Sequence, residues 1–338
     1  MTSPDVATHR TRRRITLAAI VAIIGIAVAL LLRSCDTGPA VIRVVAAGNI
    51  ACGLNDPNYN TGKGANGQCA QLATSNIAVA LHPDYVIGLG NYQFEMPTAQ
   101  AYTKVYGPSW GRLRTITYPA IGNQEYKVHA ANTFRTYFVG RVPADQSYWS
   151  YDLGSWHIVM LDSNCTTVMG GCLQNSPQQV WLAHDLATHP NKCVMAVWHH
   201  ARWSNGIAGR DERTRDLYKT LYNYNADVVL SSHDFDYERF TPLNPTAGSD
   251  PKRGVVQFVA GAGGQAHYVP TLGNAPWRTK RAPIKSAFAD FTHQGVLELA
   301  LNRASYSWKY YALGAKTHTN GATVAGAAVI DSGTTACH

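Results

Sequence analysis

The chain has 338 residues, a formal net charge of +8 and seven cysteines. Five arginines and one aspartate fall within residues 1–35, so half of the net positive charge belongs to the first tenth of the chain. The charge that remains is spread thinly over about 300 residues, which excludes the dense basic surface of a nucleic-acid-binding protein.

Residues 15–32 (ITLAAIVAIIGIAVALLL) form an uninterrupted apolar stretch of 18 residues. This is near the lower limit of the roughly 17–25 residues that a membrane-spanning helix needs, and it exceeds the ~7–15 residues typical of a cleaved signal. Arg10, Arg12, Arg13 and Arg14 precede it, and positive charge favours the cytoplasmic side. The sequence therefore predicts a single-pass protein of the cell membrane whose N-terminus is cytoplasmic.

The predicted organisation has four parts. They are a basic cytoplasmic tail at 1–14, a transmembrane signal anchor at 15–32, a linker at 33–40 and one extracytoplasmic domain at 41–338. Two alternatives remain open. The apolar segment could be cleaved, leaving a secreted protein, or the chain could be lipid-anchored at Cys35, because LRSC resembles a lipobox.

Six cysteines follow Cys35, and an exported domain with that many cysteines is expected to contain disulfides. Spacing favours two local pairs, Cys52 with Cys69 and Cys165 with Cys172, which leaves Cys193 with Cys337. Six cysteines allow fifteen pairings, so proximity alone supports this assignment.

Apolar runs typical of buried strands recur along the domain. They lie at 41–47, 84–90, 117–122, 157–161, 193–198, 226–230, 255–261 and 295–301, with helical patterns at 70–82, 177–189 and 211–225. Asp211 is a plausible N-cap of the last helix. Strands that alternate with helices predict an α/β protein with largely parallel strands. The Gly/Ala/Thr-rich residues at 320–336 are expected to be a low-complexity tail.

Polar residues follow five of the predicted strands. Gly-Asn pairs come after the first three strands (Asn49, Asn91 and Asn123), His199-His200 after the fifth, and Ser232-His233 after the sixth. In open α/β sheets, binding sites form at the carboxyl ends of the strands. We therefore expect these five strand ends to converge on one crevice.

The segments AAGNIAC (46–52), LGNYQFE (89–95), PAIGNQEY (119–126), WHHARWS (198–204) and SSHDFDYERF (231–240) resemble, in order and spacing, the motifs of the calcineurin-like metallophosphoesterases. The similarity is greatest to the bacterial purple-acid-phosphatase-like branch. It implies a four-layer αββα sandwich, in which two packed β-sheets are flanked by helices.

The resemblance also implies a chemistry. Such enzymes use two ions, such as Fe, Zn or Mn, about 3.5–4 Å apart to clamp a phosphate and to generate a hydroxide nucleophile. Two divalent ions that close repel each other by roughly 20 kcal/mol at an effective dielectric near 20, so carboxylate ligands must offset the repulsion.

Several motif positions carry other residues in this chain. Asn49 replaces the first Asp ligand, Asn91 the bridging Asp, Phe94 a Tyr ligand and Phe235 the last His, and Gln124 occupies the position of the catalytic acid. The retained ligand positions are Asn123, His199 and His233. We choose His199 over His200 because the family's ligand lies two residues before a proline, which is Ala201 here.

These substitutions predict an inactive or severely impaired relative of phosphoric ester hydrolases. We expect no full metal occupancy and at most one transition-metal ion, held by Asn91, Asn123, His199 and His233. The predicted partners are the membrane, through residues 15–32, and a phosphorylated or other polar ligand in the old crevice, with no nucleic acid. The alternative is an active phosphatase or phosphodiesterase with a rearranged or single-metal site.

A rearranged site would need carboxylates from beside the motifs. Glu95, Glu125, Asp162, Asp234 and Asp236 are the candidates. We instead expect Asp234, Tyr237, Glu238 and Arg239 to brace the loop by hydrogen bonds. GPSWG (107–111) matches the nucleophile elbow of serine hydrolases but lacks a clear strand before it. GAGG (261–264) is expected to be a glycine-rich turn near the crevice. We assign no role to His267 or His293.

Overall fold

Two mixed β-sheets form the centre of the computed structural model, which describes residues 41–190, 193–268, 283–316 and 323–338. The strands are β1 (Ile42–Ala47), β2 (Tyr85–Gly88), β3 (Thr117–Pro119), β4 (Trp149–Leu153), β5 (Trp156–Met160), β6 (Cys193–His200), β7 (Val228–Ser232), β8 (Tyr237–Phe240), β9 (Val256–Ala260), β10 (Ser286–Asp290), β11 (Gly295–Asn302), β12 (Ser305–Leu313) and β13 (Ala327–Ala336). Within the described residues, one sheet has the order β13-β12-β11-β1-β2-β3 and the other has the order β10-β8-β9-β7-β6-β5-β4.

Helices connect the strands. The α-helices of the described chain are α1 (Gln71–Ala80), α2 (Ala99–Ala101, continued by a π-helical turn at Tyr102–Tyr106), α3 (Asn132–Tyr137), α4 (Pro177–Thr188) and α5 (Arg215–Asn223). The 3₁₀ turns are Asn60–Gly62, Trp110–Ile116, Glu125–Lys127, His129–Ala131 and Glu212–Thr214. Ser176 caps α4 with its side chain, and Pro177 occupies the first turn, where its missing N–H has no cost.

Three apolar clusters separate four layers. The central cluster contains residues of both sheets, such as Val44 of β1 and Met195 of β6, so the two sheets pack face to face. A second cluster joins the β6–β7 sheet to α4 and α5, and a third joins the β1–β2 sheet to α1 and α2. Period-two alternation explains the layering: Val44 and Ala46 face the central cluster, while Val45 faces the helices. The four-layer αββα sandwich expected from the motifs is confirmed.

All eight predicted strands and the helices at 70–82 and 177–189 are present, with ends within a few residues of the expected positions. Three expectations need correction. The sheets are mixed rather than largely parallel, because antiparallel strands such as β4 and β11–β13 extend them. The third helix begins at Arg215, since Asp211 caps a preceding 3₁₀ turn. The expected tail at 320–336 contains β13, which pairs with β12 along its length.

Three disulfides, Cys52–Cys69, Cys165–Cys172 and Cys193–Cys337, tie the loops and the C-terminus to the sandwich. They are the pairs that the spacing favours, and they fit an oxidising, extracytoplasmic compartment. Residues Val41–His338 form one compact unit. Among the described residues no helix is long and apolar enough to cross a membrane. The predicted tail, anchor and linker at 1–40, including Cys35, lie outside the described residues.

A buried histidine, His157 of β5, joins the β4–β5 hairpin of the seven-stranded sheet to α4. His157 lies between two carboxylates, with Nδ1 2.8 Å from Asp152 and Nε2 2.9 Å from Asp185. Burial alone would lower the pKa of His157, but the hydrogen bonds to Asp185 and Asp152 outweigh it and raise that pKa. Burial would raise the pKa of Asp185, yet its bonds to His157 and Ser150 lower it.

We expect His157→Gln to destabilise the protein by about 1–3 kcal/mol in mildly acidic solution, because Asp185 would remain buried without its cationic partner. The raised pKa of His157 gives stability that is complete below about 6.5 and is lost as pH rises through its folded value. The lowered pKa of Asp185 gives stability that is lost as pH falls below about 3.9. Urea unfolding at several pH values should therefore show the largest difference in unfolding free energy between His157→Gln and the wild type from about pH 4 to 6.5.

The control is His184→Gln, which changes an exposed residue of α4. A difference independent of pH would contradict the ion-pair interpretation.

Candidate metal centre

Five polar strand ends meet where the two sheets join. Asn49, Asn91 and Asn123 follow β1, β2 and β3 of one sheet, whereas His199 ends β6 and His233 follows β7 of the other. Side-chain atoms link them in a chain: Asn49 to Asn91 at 3.1 Å, Asn91 to Asn123 at 3.1 Å, Asn123 to His199 at 2.9 Å, and His199 to His233 at 3.1 Å. The structure thus brings the expected residues into one crevice.

The backbone turns sharply at these strand ends. Asn49, Asn91 and His233 have φ of 52°, 57° and 71°, in the left-handed region that asparagine tolerates better than most residues. Close approach adds a second constraint, because a β-carbon on Gly122 would clash with the side-chain oxygen of Asn91. The Gly-Asn pairs therefore serve local geometry as well as polarity.

The amide of Asn91 has one orientation. Its Oδ1 accepts the backbone N–H of Gln124 at 2.9 Å, and a backbone N–H can only donate. Its Nδ2 therefore faces the centre of the crevice and donates to Oδ1 of Asn49 and Oδ1 of Asn123. Asn91, which we expected to be a ligand of a single ion, therefore presents an amino group and no electron pair to the crevice.

Asn49 is held as firmly. Its Nδ2 donates to the carbonyl oxygens of His233, Asp234 and Gly261 at 3.3, 3.1 and 3.0 Å. Because carbonyl oxygens only accept, the amide cannot flip without losing these bonds. The side chain ties β1 to the two loops that follow β7 and β9 in the opposite sheet.

His199 presents one nitrogen to the crevice. Its Nδ1 lies 2.8 Å from the carbonyl oxygen of Leu89, so it carries the proton and donates. Its Nε2 then has the lone pair and lies near Asn123 Oδ1 and His233 Nδ1. A backbone carbonyl that fixes the tautomer of a histidine is a common outer partner in metal sites.

The imidazoles of the crevice are neutral. Burial, followed by the neighbouring His200 and His233, holds the pKa of His199 well below its ordinary value. Burial, with His233 and Arg213, lowers the pKa of His200 to about 2. Burial lowers the pKa of His233 to about 4, although Asp211 opposes the shift. Neutral imidazoles are the form that binds metal ions.

Aromatic rings occupy the other side of the crevice. The ring centres of Phe94 and Phe235 are 6.0 Å apart, and that of Tyr268 lies 5.0 Å from Phe235. Neither phenyl ring offers a ligand atom. The predicted acid position, Gln124, has a buried Oε1 with no hydrogen-bond partner.

The carboxylates beside the motifs serve the backbone. Glu125 accepts three backbone N–H groups, those of Asn91, Tyr92 and Gly122, each at 2.9 Å. This brace holds the second and third strand ends together. It is a structural role that the sequence did not reveal.

Two carboxylates after β7 hold the neighbouring 204–209 loop. Asp234 accepts hydrogen bonds from the Ser204 hydroxyl and from two backbone N–H groups of the loop. Glu238 accepts hydrogen bonds from the backbone N–H and the side-chain amide of Asn205. Tyr237 and Arg239 both bind Asp331. Asp234 and Glu238 thus brace a loop as expected, whereas Tyr237 and Arg239 connect β8 to β13 instead.

The remaining candidates do not join the imidazoles. Asp162 accepts hydrogen bonds from the Tyr126 hydroxyl and the Asn164 side-chain amide. Glu95 is exposed. Asp236 is buried, and neither of its carboxylate oxygens has a hydrogen-bond partner. In the part of the chain that the structure describes, the side chains at the crevice that lie close enough together to bind one metal ion are those of His199, His200 and His233, without a carboxylate.

His200 is the functional candidate that the sequence reasoning set aside. Its ring centre lies 4.9 Å from that of His199 and 4.3 Å from that of His233. The motif resemblance selects His199 alone, from its distance to the missing proline, and in a regular strand consecutive residues face opposite sides. The register of β6 against β7 shifts between Val197 and His200, and this irregularity ends the alternation.

Two short motifs have local roles. Ser109 of GPSWG is buried, and its hydroxyl bonds the carbonyls of Val105 and Tyr106, so it is no exposed nucleophile. In GAGG, the carbonyl of Gly261 accepts a hydrogen bond from the Asn49 amide, and the N–H of Gly263 donates to the carbonyl of Gly48. GAGG is therefore a turn at the crevice.

His267 is half-buried, and His293 bonds Asp290. Neither belongs to the group of His199, His200 and His233.

The two packed sheets, with polar side chains at their joined ends, have the architecture of a calcineurin-like metallophosphoesterase. The purple acid phosphatase from yellow lupin (Lupinus luteus) seeds has the same fold, with a TM-score of 0.59 and 18% identity over 87% of this chain and 53% of that chain. No family model matches the chain.

Within that class the chain is related to the purple acid phosphatases. It is 28% identical over 246 residues to purple acid phosphatase 22 of Arabidopsis thaliana, covering 64% of this chain and 53% of the relative. It is 26% identical over 207 residues to probable inactive purple acid phosphatase 9 of the same plant, covering 55% and 29%. The chain thus spans about half or less of the length of these relatives.

The hydrogen bonds of Asn49 predict that Asn49→Asp destabilises the metal-free protein. The substitution would aim a carboxylate oxygen at three carbonyl oxygens in a fully buried position. We expect a loss of about 1–3 kcal/mol in the free energy of unfolding, or more while the side chain is charged. The loss should shrink as pH falls and the buried carboxyl is protonated.

Chemical denaturation in a chelating buffer at pH 5 and pH 8 measures this effect. Asn55→Asp, an exposed change of equal charge, is the matched control. Equal stability of the two variants would show that the Asn49 amide does not hold the strand ends together.

Proposed function

We propose that this protein is a catalytically inactive, membrane-tethered relative of the metallophosphoesterases. Its crevice, at the position of the family's active site, binds a phosphorylated or other polar ligand. The proposal has three parts, which are the missing binuclear centre, the loss of the acid and the anchor. Each rests on a different group of residues.

The main support for the first part is the amino group of Asn91. A bridging carboxylate supplies both an electron pair for each ion and negative charge, and the inward-facing Nδ2 of Asn91 supplies neither. In the motif resemblance, Phe94 and Phe235 replace a Tyr and a His ligand, and their rings, 6.0 Å apart, offer no ligand atom. These residues do not fit a pair of divalent ions.

The second part rests on Gln124, because an amide has no proton to give to a leaving group. General acid catalysis typically contributes ~10²–10⁴-fold, so its loss alone would be severe. Similarity to a plant protein named a probable inactive purple acid phosphatase supports the same conclusion.

A second candidate function is a hydrolase that uses one metal ion. Its support is a cluster of three possible ligand atoms. His199 Nε2 lies 2.9 Å from Asn123 Oδ1 and 3.1 Å from His233 Nδ1. A bound ion would supply a polarised water or polarise a phosphoryl oxygen. This chain's residues would hold the ion, but no described carboxylate of the imidazole group would take the proton.

Phosphatase and phosphodiesterase assays of the full-length protein decide between these functions. With Zn²⁺, Mn²⁺ or Fe²⁺ added, we expect hydrolysis of chromogenic phosphate esters at background and at most one bound transition-metal ion per chain. The comparison protein carries Asn49→Asp, Asn91→Asp, Phe94→Tyr, Gln124→His and Phe235→His, and it should bind more metal.

Wild-type hydrolysis that chelators abolish and that His199→Ala also removes would overturn the inactive assignment. The His199→Ala arm matters because a contaminating phosphatase would respond to chelators alone. Two tightly bound ions in the wild type would contradict the charge argument directly.

The anchor is tested separately. The 18 apolar residues at 15–32 after four arginines predict that the protein stays in membranes during alkaline extraction and that a variant lacking residues 1–40 does not. Mass spectrometry of the mature N-terminus separates the alternatives. An intact Met1 region supports the anchor, whereas a start after residue 32 or a lipid on Cys35 would replace it with cleavage or lipidation.

A further inference from the structure

His200 contributes a third imidazole to the crevice. It is 5% exposed, and it offers a nitrogen within 4.8 Å of a nitrogen of His199 and of His233. Its Nδ1 lies 2.9 Å from the Ser163 hydroxyl, which also accepts the backbone N–H of His200. Ser163 therefore fixes the orientation of the ring.

Two of the three ring separations are those of shared ligands, and the His200–His233 separation is slightly shorter. Imidazoles that bind one ion through nitrogens about 2.0–2.1 Å away have ring centres roughly 4.5–5.2 Å apart. The observed separations are 5.0 Å for His199–His233, 4.9 Å for His199–His200 and 4.3 Å for His200–His233. Small rotations of the rings would complete such a site.

Two acceptor atoms lie against each other in the crevice, and His233 Nδ1 is 3.1 Å from one of them. Leu89 fixes the proton of His199 on Nδ1, which leaves the Nε2 lone pair facing inward. Asn91 donates to Asn123 Oδ1, which fixes that oxygen 2.9 Å from the same Nε2. Both atoms are acceptors, and a bound cation would convert this unfavourable contact into coordination.

We propose that His200 joins His199, His233 and Asn123 as ligands of a single transition-metal ion, replacing the lost bridging carboxylate. This inference rests on the proposed loss of the binuclear centre. Imidazole ligands suit zinc, copper and nickel. A neutral ligand set leaves the ion its full charge, so the crevice would attract the anionic end of a ligand.

Metal titration of the full-length protein tests the role of His200. Zn²⁺ affinity measured by competition with a chromogenic chelator should correspond to one ion per wild-type chain. His200→Gln should weaken it by at least the ~10–100-fold that losing an outer-shell partner costs. His184→Gln, which removes an exposed histidine, should bind like the wild type.

Ser163→Ala separates ligation from support. If His200 only braces β6 against Ser163, then Ser163→Ala and His200→Gln should have similar, small effects on Zn²⁺ affinity. If His200 is a ligand, Ser163→Ala should weaken binding much less than His200→Gln. Unfolding curves without metal show whether each variant is folded.

A measurement on the unaltered protein covers the case in which His200→Gln does not fold. X-ray absorption of the zinc-loaded wild type should count three imidazoles, and Co²⁺ should give the visible bands of a low-coordinate site. Two imidazoles, no Zn²⁺ binding, or His200→Gln behaving like the control would each overturn this inference while leaving the inactive assignment intact. Two bound ions would overturn both.

Discussion

The hydrogen bonds of the Asn91 amide determine what the crevice can do. Its oxygen is committed to the backbone of Gln124, and its amino group joins the side chains that follow β1 and β3. A carboxylate at this position would need cations to neutralise it, whereas the amide satisfies its neighbours by itself. The ends of β1, β2 and β3 can therefore be held together by neutral hydrogen bonds, while Asn49 and Asn123 make the polar contacts to the opposite sheet.

Burial patterns made most of the fold predictable, and the failures have a common cause. Continuous apolar runs identified the inner strands, because residues such as Val44 and Val45 are buried on both faces of a covered sheet. The strands that were missed lie toward the edges. β13 is an example: its Ala, Gly and Thr residues have little apolar character of their own, and its strand structure depends on pairing with β12.

The side chains of the site were predictable, but their directions were not. Motif spacing identified Asn49, Asn91, Asn123, His199 and His233 as neighbours, and the structure brings them together. The direction of each amide depends on partners far away in the chain, such as the carbonyl of Gly261 for Asn49. His200 was set aside on its distance from the missing proline, and the irregularity in β6 that brings it to the site is visible only against β7.

The carboxylates beside the motifs hold the shape of the crevice through the backbone. Glu125 binds three backbone N–H groups beneath the asparagines, and Asp234 and Glu238 bind the loop that follows β6. These groups face the backbone, so they contribute to the geometry of the strand ends without contributing charge to a metal. The shape of the crevice and the charge at its centre therefore depend on different residues. This separation is what the proposed function requires, because the scaffold can persist whatever the number of ions at the centre.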